Sequence, residues 1–395
     1  MATNYVILRS VPAPKPQFRT RGPGAAPVAE AAHSPVAVEV DNLSSRRAAE
    51  VARSEGVACV APVVPLKLIA PVPFNAPADA KAGGSTWGVK AVAADQSPFS
   101  GEGAAVAILD TGIDSTHPAF AGIELVRKNF TSEADDDLHG HGTHCAGTIA
   151  GRDVGGTRIG IARGVKKLLI AKVLGEGGGG SDVLLAAIQW ALLNDANVIS
   201  MSLGIDFPGM VASLVTQGFP ADLATTLALE GYRANVMLFE RLAALVRSQS
   251  AFGKACVLVA AAGNESRREI NAEYVIAVSP PAVAEGIVSV AAVGPDPAGF
   301  TIAPFSNVGA RVSGPGVGVL SAKPGGSLVS MSGTSMATPH VAGVAALWVH
   351  KLRSANQLTG QLLTDRLAGS GTLMGFAAGF NPADVGAGMV QAPQQ

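Results

Sequence analysis

From Trp87 onward the chain repeats one pattern: a run of consecutive apolar residues, then a stretch in which apolar and polar residues recur at helical spacing. The runs fall at residues 106–110, 168–173, 198–203, 257–262 and 287–293, and several are apolar throughout rather than at alternate positions. Continuous runs of that length suit parallel strands buried on both faces. The intervening stretches predict helices at 141–150, 182–193 and 221–247. Strand and helix in alternation specify an α/β fold, with a mostly parallel central sheet covered by helices on both faces. A last helix is expected from about residue 335 to about 352. Val341, Val344, Ala345, Leu347 and Trp348 leave it little polar face, so it reads as a buried central helix with Pro339 in its first turn.

Upstream the pattern differs. Residues 4–9 read as a short strand, 36–40 as another, 44–54 as a helix capped by Asn42 or Ser44, and 57–69 as a second extended run. Residues 11–36 are rich in Pro, Ala and Gly without a period and read as flexible, while 71–85, with its prolines and paired glycines, reads as a linker. The expected organisation is a small α+β region with its linker at 1–82 and a large domain at 83–395. Within the latter, 205–253 is an enlarged connection. Its Leu238, Leu242, Leu245 and Val246 form a helical stripe, expected to be extra packing around a surface helix.

Composition narrows the function classes. With 395 residues, 48% of them hydrophobic, and a mean hydropathy of +0.32, the chain can bury a large core. A net charge of -1 offers no electrostatic ground for binding nucleic acid or an anionic membrane. Cys59, Cys145 and Cys256 are odd in number and contain no C-x-x-C pair, which argues against a disulfide framework. Before Arg21 the longest apolar run is Tyr5 to Leu8, too short for a secretory core or a membrane span, so a soluble cytoplasmic protein is the expectation.

Four short strings carry candidate chemistry. Asp110 ends an apolar run and is followed by Thr111-Gly112; His141 opens His141-Gly142-Thr143-His144; Asn264 closes Ala261-Ala262-Gly263-Asn264; and Ser335 lies in Gly333-Thr334-Ser335-Met336-Ala337-Thr338-Pro339. A serine hydroxyl is a weak nucleophile until a base takes its proton, and the base needs an anion to fix its tautomer and stabilise the imidazolium. Asp, His and Ser occur here in the chain order found in subtilisin.

The strings around Asp110, His141 and Ser335 resemble the three signatures of the subtilase serine proteases, over about 87–392. The resemblance implies a serine endopeptidase in which Asp110 orients the base, His141 is general base and acid, Ser335 attacks the carbonyl, and Asn264 is the side-chain donor of the oxyanion hole. It also places a peptide substrate between Gly178-Gly179-Gly180 and Ser202-Leu203-Gly204 as an added strand, with a primary pocket floored near Ser279. Adding a strand gives affinity through main-chain bonds, and glycines let another backbone approach. His117, His144 and His340 match positions without catalytic roles. Cys145 is implied to lie beneath the imidazole.

Some features depart from the family. Ala119 follows His117-Pro118 where a calcium-binding Asp is usual, and 152–158 offers only Asp153 as a hard ligand, so that metal site is expected to be absent. Catalysis by such a triad needs no cofactor. The region 1–82 resembles a subtilase propeptide in its strand, helix, strand half, which makes it a candidate intramolecular inhibitor of a self-processing precursor. The alternatives are a specialised peptide-processing or acyl-transferring enzyme, favoured only by the insertion, and a catalytically idle peptide-binding protein, which loss of a triad residue would suggest.

Overall fold

The computed structural model describes residues 2–10, 36–73, 83–249 and 253–395. Its central sheet has the order Gly299–Ile302, Ile287–Asp296, Val257–Ala261, Val198–Met201, Ala105–Asp110, Lys167–Lys172, Glu124–Asn129, and Val312–Pro315 also pairs with Ile287–Asp296. Every pairing is parallel except that of Gly299–Ile302. The α/β expectation therefore holds. The apolar runs serve two cores at once, because successive side chains of a strand point to opposite faces. Val106, Ile108, Leu168, Ile170, Val257 and Val259 join the core that contains helices His141–Ala150 and Thr334–Ser354. Ala107, Leu109, Leu169, Ala171, Leu258 and Ala260 join the opposite core, with helices Ser181–Leu193 and Ala221–Ser248.

Three expectations need correction. The run at 198–203 is not one strand: Val198–Met201 stays in the central sheet, while Leu203–Ile205 leaves it for a separate small sheet. The run at 57–69 likewise breaks into Val57–Pro62 and Pro65–Leu68, in different sheets. Between them Val63 N–H donates to Asn4 O and Val64 N–H to Ser181 Oγ, and the two flanking prolines have no N–H to continue a ladder. The last helix starts at Thr334, and Pro339 lies in its second turn rather than its first.

The small N-terminal sheet has Ala2–Ser10 in the middle, flanked by Val36–Ser44 and Val57–Pro62, both antiparallel to it. The second strand is longer than expected, and the helix, Ser45–Val51, is shorter; Ser44 Oγ caps it through Arg47 N–H, while Asn42 instead bonds Asn4. Alternation again assigns two faces. Ile7 packs with Leu43 and Ala48 under this helix, whereas Val6, Leu8 and Ala61 pack against the core of helices Ser181–Leu193 and Ala221–Ser248. The insertion supplies helices Phe207–Thr216 and Ala221–Ser248, and Asn235 Nδ2 of the second donates to Pro62 O at 2.8 Å. Residues 11–35 and 74–82, which include most of both stretches read as flexible, lie outside the described residues. Gly84–Ser85 pairs in parallel with Thr157–Arg158. Among the described residues no helix is long and apolar enough to cross a membrane.

Candidate active site

Asp110 is the last residue of its strand, at the carboxyl edge of the sheet where ligands bind in open α/β folds. Its Oδ1 accepts from Thr111 N–H at 2.8 Å and meets His141 Nδ1 at 2.7 Å. Both side chains are buried. An ionised carboxylate only accepts, so in the neutral imidazole the proton sits on Nδ1 and Nε2 keeps its lone pair. That Nε2 is buried and has no hydrogen-bond partner among the described residues. Burial works against charge on the ring, but Asp110 and, less strongly, the neighbouring Cys145 sulfur together outweigh it and hold the His141 pKa well above the ordinary imidazole value. The free base is therefore favoured only at a correspondingly higher pH.

His141 is placed by a buried carboxylate that the sequence reading passed over. Asp137 Oδ1 accepts from Thr111 Oγ1 and Gly140 N–H, both at 2.8 Å, and its Oδ2 accepts from Thr143 N–H at 2.8 Å and Thr143 Oγ1 at 2.6 Å. Thr111 Oγ1 in turn accepts from Gly142 N–H. Asp137 thus satisfies donors at the start of the helix that begins with His141, where a negative charge also suits the dipole. Its position just before a helix N-terminus was the available signal.

Ser335 is the second residue of the central helix and is buried. Its Oγ lies 3.6 Å from Met336 Sδ and is not hydrogen-bonded to His141. Its carbonyl has an unusual environment for a definite reason. Pro339, four residues on, has no N–H to return to it. Ser202 Oγ at 3.2 Å and Cys145 Sγ at 3.5 Å donate to that oxygen instead. Before the helix, Gly333 leaves room: a Cβ there would stand 2.9 Å from Ser335 Oγ and 3.0 Å from Asn264 Nδ2.

Asn264 faces the same point. Its Oδ1 accepts from Thr334 N–H at 2.9 Å and Thr334 Oγ1 at 2.8 Å, which fixes the amide so that Nδ2 points outward into the cleft. There Nδ2 donates to the carbonyl oxygen of Ala70 at 2.9 Å.

That carbonyl belongs to a segment of the chain lying in the cleft as a strand. Pro65–Leu68 runs antiparallel to Gly179–Gly180 on one side and Leu203–Ile205 on the other, with Leu68 opposite Leu203, Lys67 opposite Gly204 and Leu66 opposite Gly179. Ile69 N–H donates to Ser202 O at 3.2 Å and Val72 N–H to Ser332 O at 2.8 Å, so the segment stays held beyond the end of the strand. Gly178 has φ +81°, and a Cβ on it would collide with Leu66 O. Ile69 turns toward the expected primary pocket: its Cδ1 is 3.6 Å, and Ser279 Oγ 3.2 Å, from the point where a Cβ on Gly204 would stand. The side chain nearest that pocket thus comes from Ile69, while the carbonyl on Asn264 comes from Ala70.

His117, His144 and His340 are tied to backbone. His117 Nε2 meets Ser327 O at 2.9 Å, His144 Nε2 meets Val319 O at 3.0 Å, and His340 Nδ1 meets Met336 O at 2.8 Å. Burial depresses His144 to a pKa of about 3 and His340 to about 4, so both stay neutral. His139 stacks edge-on to His141, with centroids 6.1 Å apart. Asp114 accepts from Thr116 and from Gly325 N–H. Asp153, the remaining hard ligand of the 152–158 loop, pairs with Arg163 at 2.9 and 3.1 Å.

Against known families, the model of the Subtilase family matches residues 101–371. The chain belongs to the subtilases. It is similar to Subtilisin-like protease 6 of Arthroderma benhamiae, at 35% identity over 272 residues, 66% of this chain and 57% of that protein. Subtilisin-like protease 6 of Trichophyton tonsurans is 34% identical over 270 residues, 67% of this chain and 55% of that one. The Thermostable alkaline protease of Halalkalibacterium halodurans is 36% identical over 313 residues, 78% and 72% of the two chains. The chain spans little more than half the length of the Arthroderma and Trichophyton relatives.

In this subtilase Cys145 Sγ lies 3.8 Å from His141 Nδ1, and the ligand atoms of Asp110, His141 and Cys145 all fall within 4.8 Å of one another. Burial raises the thiol's pKa, so it is neutral at ordinary pH. A mercurial bound to Sγ would stand where the ring packs. Inhibition by stoichiometric mercurial is the expected result, lost in Cys145→Ser and Cys145→Ala while Cys59 and Cys256 still label. Undiminished turnover of the wild type with every thiol labelled would contradict the placement.

Proposed function

We propose that this subtilase is a serine endopeptidase, made as a precursor that its own N-terminal region holds inactive. One observation carries the reading: the chain's own segment 65–72 runs through the cleft, its Pro65–Leu68 part as an added strand, with the Ala70 carbonyl on Asn264 Nδ2 at 2.9 Å. A peptide substrate in the same lane would present its carbonyl to the same donor. Ser335 Oγ then attacks the carbonyl carbon as His141 Nε2 takes its proton, and Asp110 stabilises the imidazolium. Negative charge develops on the carbonyl oxygen, facing Asn264 Nδ2 and the Ser335 backbone N–H at the start of the helix. Collapse expels the amine, which receives the proton from His141, and water hydrolyses the acyl-enzyme by the same steps in reverse. No cofactor enters these steps.

The precursor part of the reading explains why the segment is a ligand more than a substrate. A productive substrate offers the pocket residue and the attacked carbonyl from the same amino acid, whereas here they come from Ile69 and Ala70. The bond after Ala70 is also to Pro71, a nitrogen with no N–H. Such a strand competes with substrate, and tethering raises its effective concentration. Ser335→Ala is expected to accumulate as full-length chain, while the wild type is clipped between Ala70 and Trp87. A peptide of residues 1–80 should inhibit the clipped enzyme competitively. An uncut, fully active wild type that ignores the added peptide would overturn the precursor reading.

A further inference from the structure

Lys67 lies in the middle of the cleft strand, opposite Gly204, and its Nζ reaches two carboxylates: Asp206 Oδ1 at 3.1 Å and Glu265 Oε1 at 3.7 Å. The carboxylates come from the two segments that frame the primary pocket. Asp206 directly follows Leu203–Ile205, and Glu265 directly follows Asn264. We propose that Asp206 and Glu265 form a subsite for a cationic side chain, Lys or Arg, on the substrate residue that pairs with Gly204. This residue lies two before the one that enters the pocket beside Ser279. The proposal rests on the reading of 65–70 as lying where substrate lies, and deepens it by naming a substrate class.

Both carboxylates are held before any substrate arrives. Asp206 caps helix Phe207–Thr216 by accepting from Gly209 N–H at 3.3 Å. Glu265 Oε2 accepts from Asn307 Nδ2 at 2.8 Å, which leaves Oε1 turned to Lys67. Among the described residues, the ion pairs that Asp206 and Glu265 make are both with Lys67. Once the N-terminal region leaves, two fixed carboxylates of like charge therefore face the lane with no cation between them. Antiparallel pairing at Gly204 sets the backbone of any incoming strand, so the side chain opposite Gly204 arrives at the same place as that of Lys67. Preorganised acceptors lower the ordering cost of binding it. The three side chains are between one third and two fifths exposed (40, 33 and 39%), so the preference is moderate and sensitive to salt.

The test uses three fluorogenic peptides that differ only at the third residue counted back from the cut: Lys, Ala or Glu. The clipped wild-type enzyme is expected to cleave the Lys peptide with kcat/KM about three to ten times that of the Ala peptide, with the Glu peptide poorer still. The Lys-to-Ala ratio should fall toward one in the Asp206→Asn, Glu265→Gln double variant and at high salt. A readout independent of turnover uses the uncut Ser335→Ala chain, where Lys67→Glu should speed hydrogen exchange of the 66–70 amides several-fold. Equal kcat/KM for all three peptides would overturn the subsite and leave the endopeptidase reading intact. Cleavage of none would end the endopeptidase reading, and the exchange comparison alone would then decide the subsite: unchanged exchange in Lys67→Glu overturns it.

Discussion

Ser335→Ala is expected to leave a folded protein with no measurable turnover. Among the described residues the hydroxyl's one hydrogen-bonding contact is the Met336 sulfur at 3.6 Å, and the helix around it is fixed by groups other than Oγ: Thr334 on Asn264, and the Ser335 carbonyl on Ser202 and Cys145. Stability should therefore change little. The chemistry, by contrast, loses its nucleophile, and His141 Nε2 has no second hydroxyl partner to activate among the described residues. In subtilisin itself the corresponding loss is about 10⁶-fold in kcat, roughly 8 kcal/mol of transition-state stabilisation, and that magnitude is carried over from the relative. Steady-state assay of the purified variant, with a fluorophosphonate probe as a check on labelling, measures it. Retention of even a few per cent of activity would mean that another group is the nucleophile.

Asn264→Ala should lower kcat by about 10² to 10³, with a much smaller change in KM, a magnitude again set by the same position in subtilisin. The reason lies in where the amide points. Thr334 holds Oδ1 through two bonds, so Nδ2 is aimed before substrate arrives and needs no reorganisation when charge develops on the carbonyl oxygen. The truncation also frees Thr334 N–H and Oγ1 of their acceptor, so a thermal melt must accompany the kinetics to separate lost catalysis from lost folding. A variant whose KM rises while kcat holds would count against the oxyanion assignment.

The N-terminal region shows why segments that read alike in sequence part company in space. Residues 57–69 and 198–203 each look like one strand because apolar content says only that a residue is buried, not in which sheet. Proline at 62 and 65 marks the first break, and the side chain of Ser181 completes it by taking the Val64 N–H. Nothing local marks the second. Ser202 leaves the ladder to receive Ile69 from one side and to bond the Ser335 carbonyl on the other, partners more than a hundred residues away in sequence. Asp137 was likewise hidden: it is one of three consecutive acids, Asp135-Asp136-Asp137, and its role depends on Thr111 and Thr143 being brought to it.

What the sequence determined by itself is the kind of chemistry and the layers that carry it. Continuous apolar runs bury strands on both faces whatever the details, and Asp110, His141, Asn264 and Ser335 each stand inside a local string that fixes a strand end, a helix start or a close glycine approach. The tertiary structure decided which groups meet. The 2.7 Å contact of Asp110 with His141, the turning of Asn264 toward Ala70, the release of the Ser335 carbonyl by Pro339 to Ser202 and Cys145, and the seating of Lys67 on Asp206 and Glu265 all join residues distant in the chain or oriented by such residues. A hydrogen bond depends on distances of tenths of an ångström and on direction, and those are set by the packing of whole helices and strands, which no local pattern of residues encodes.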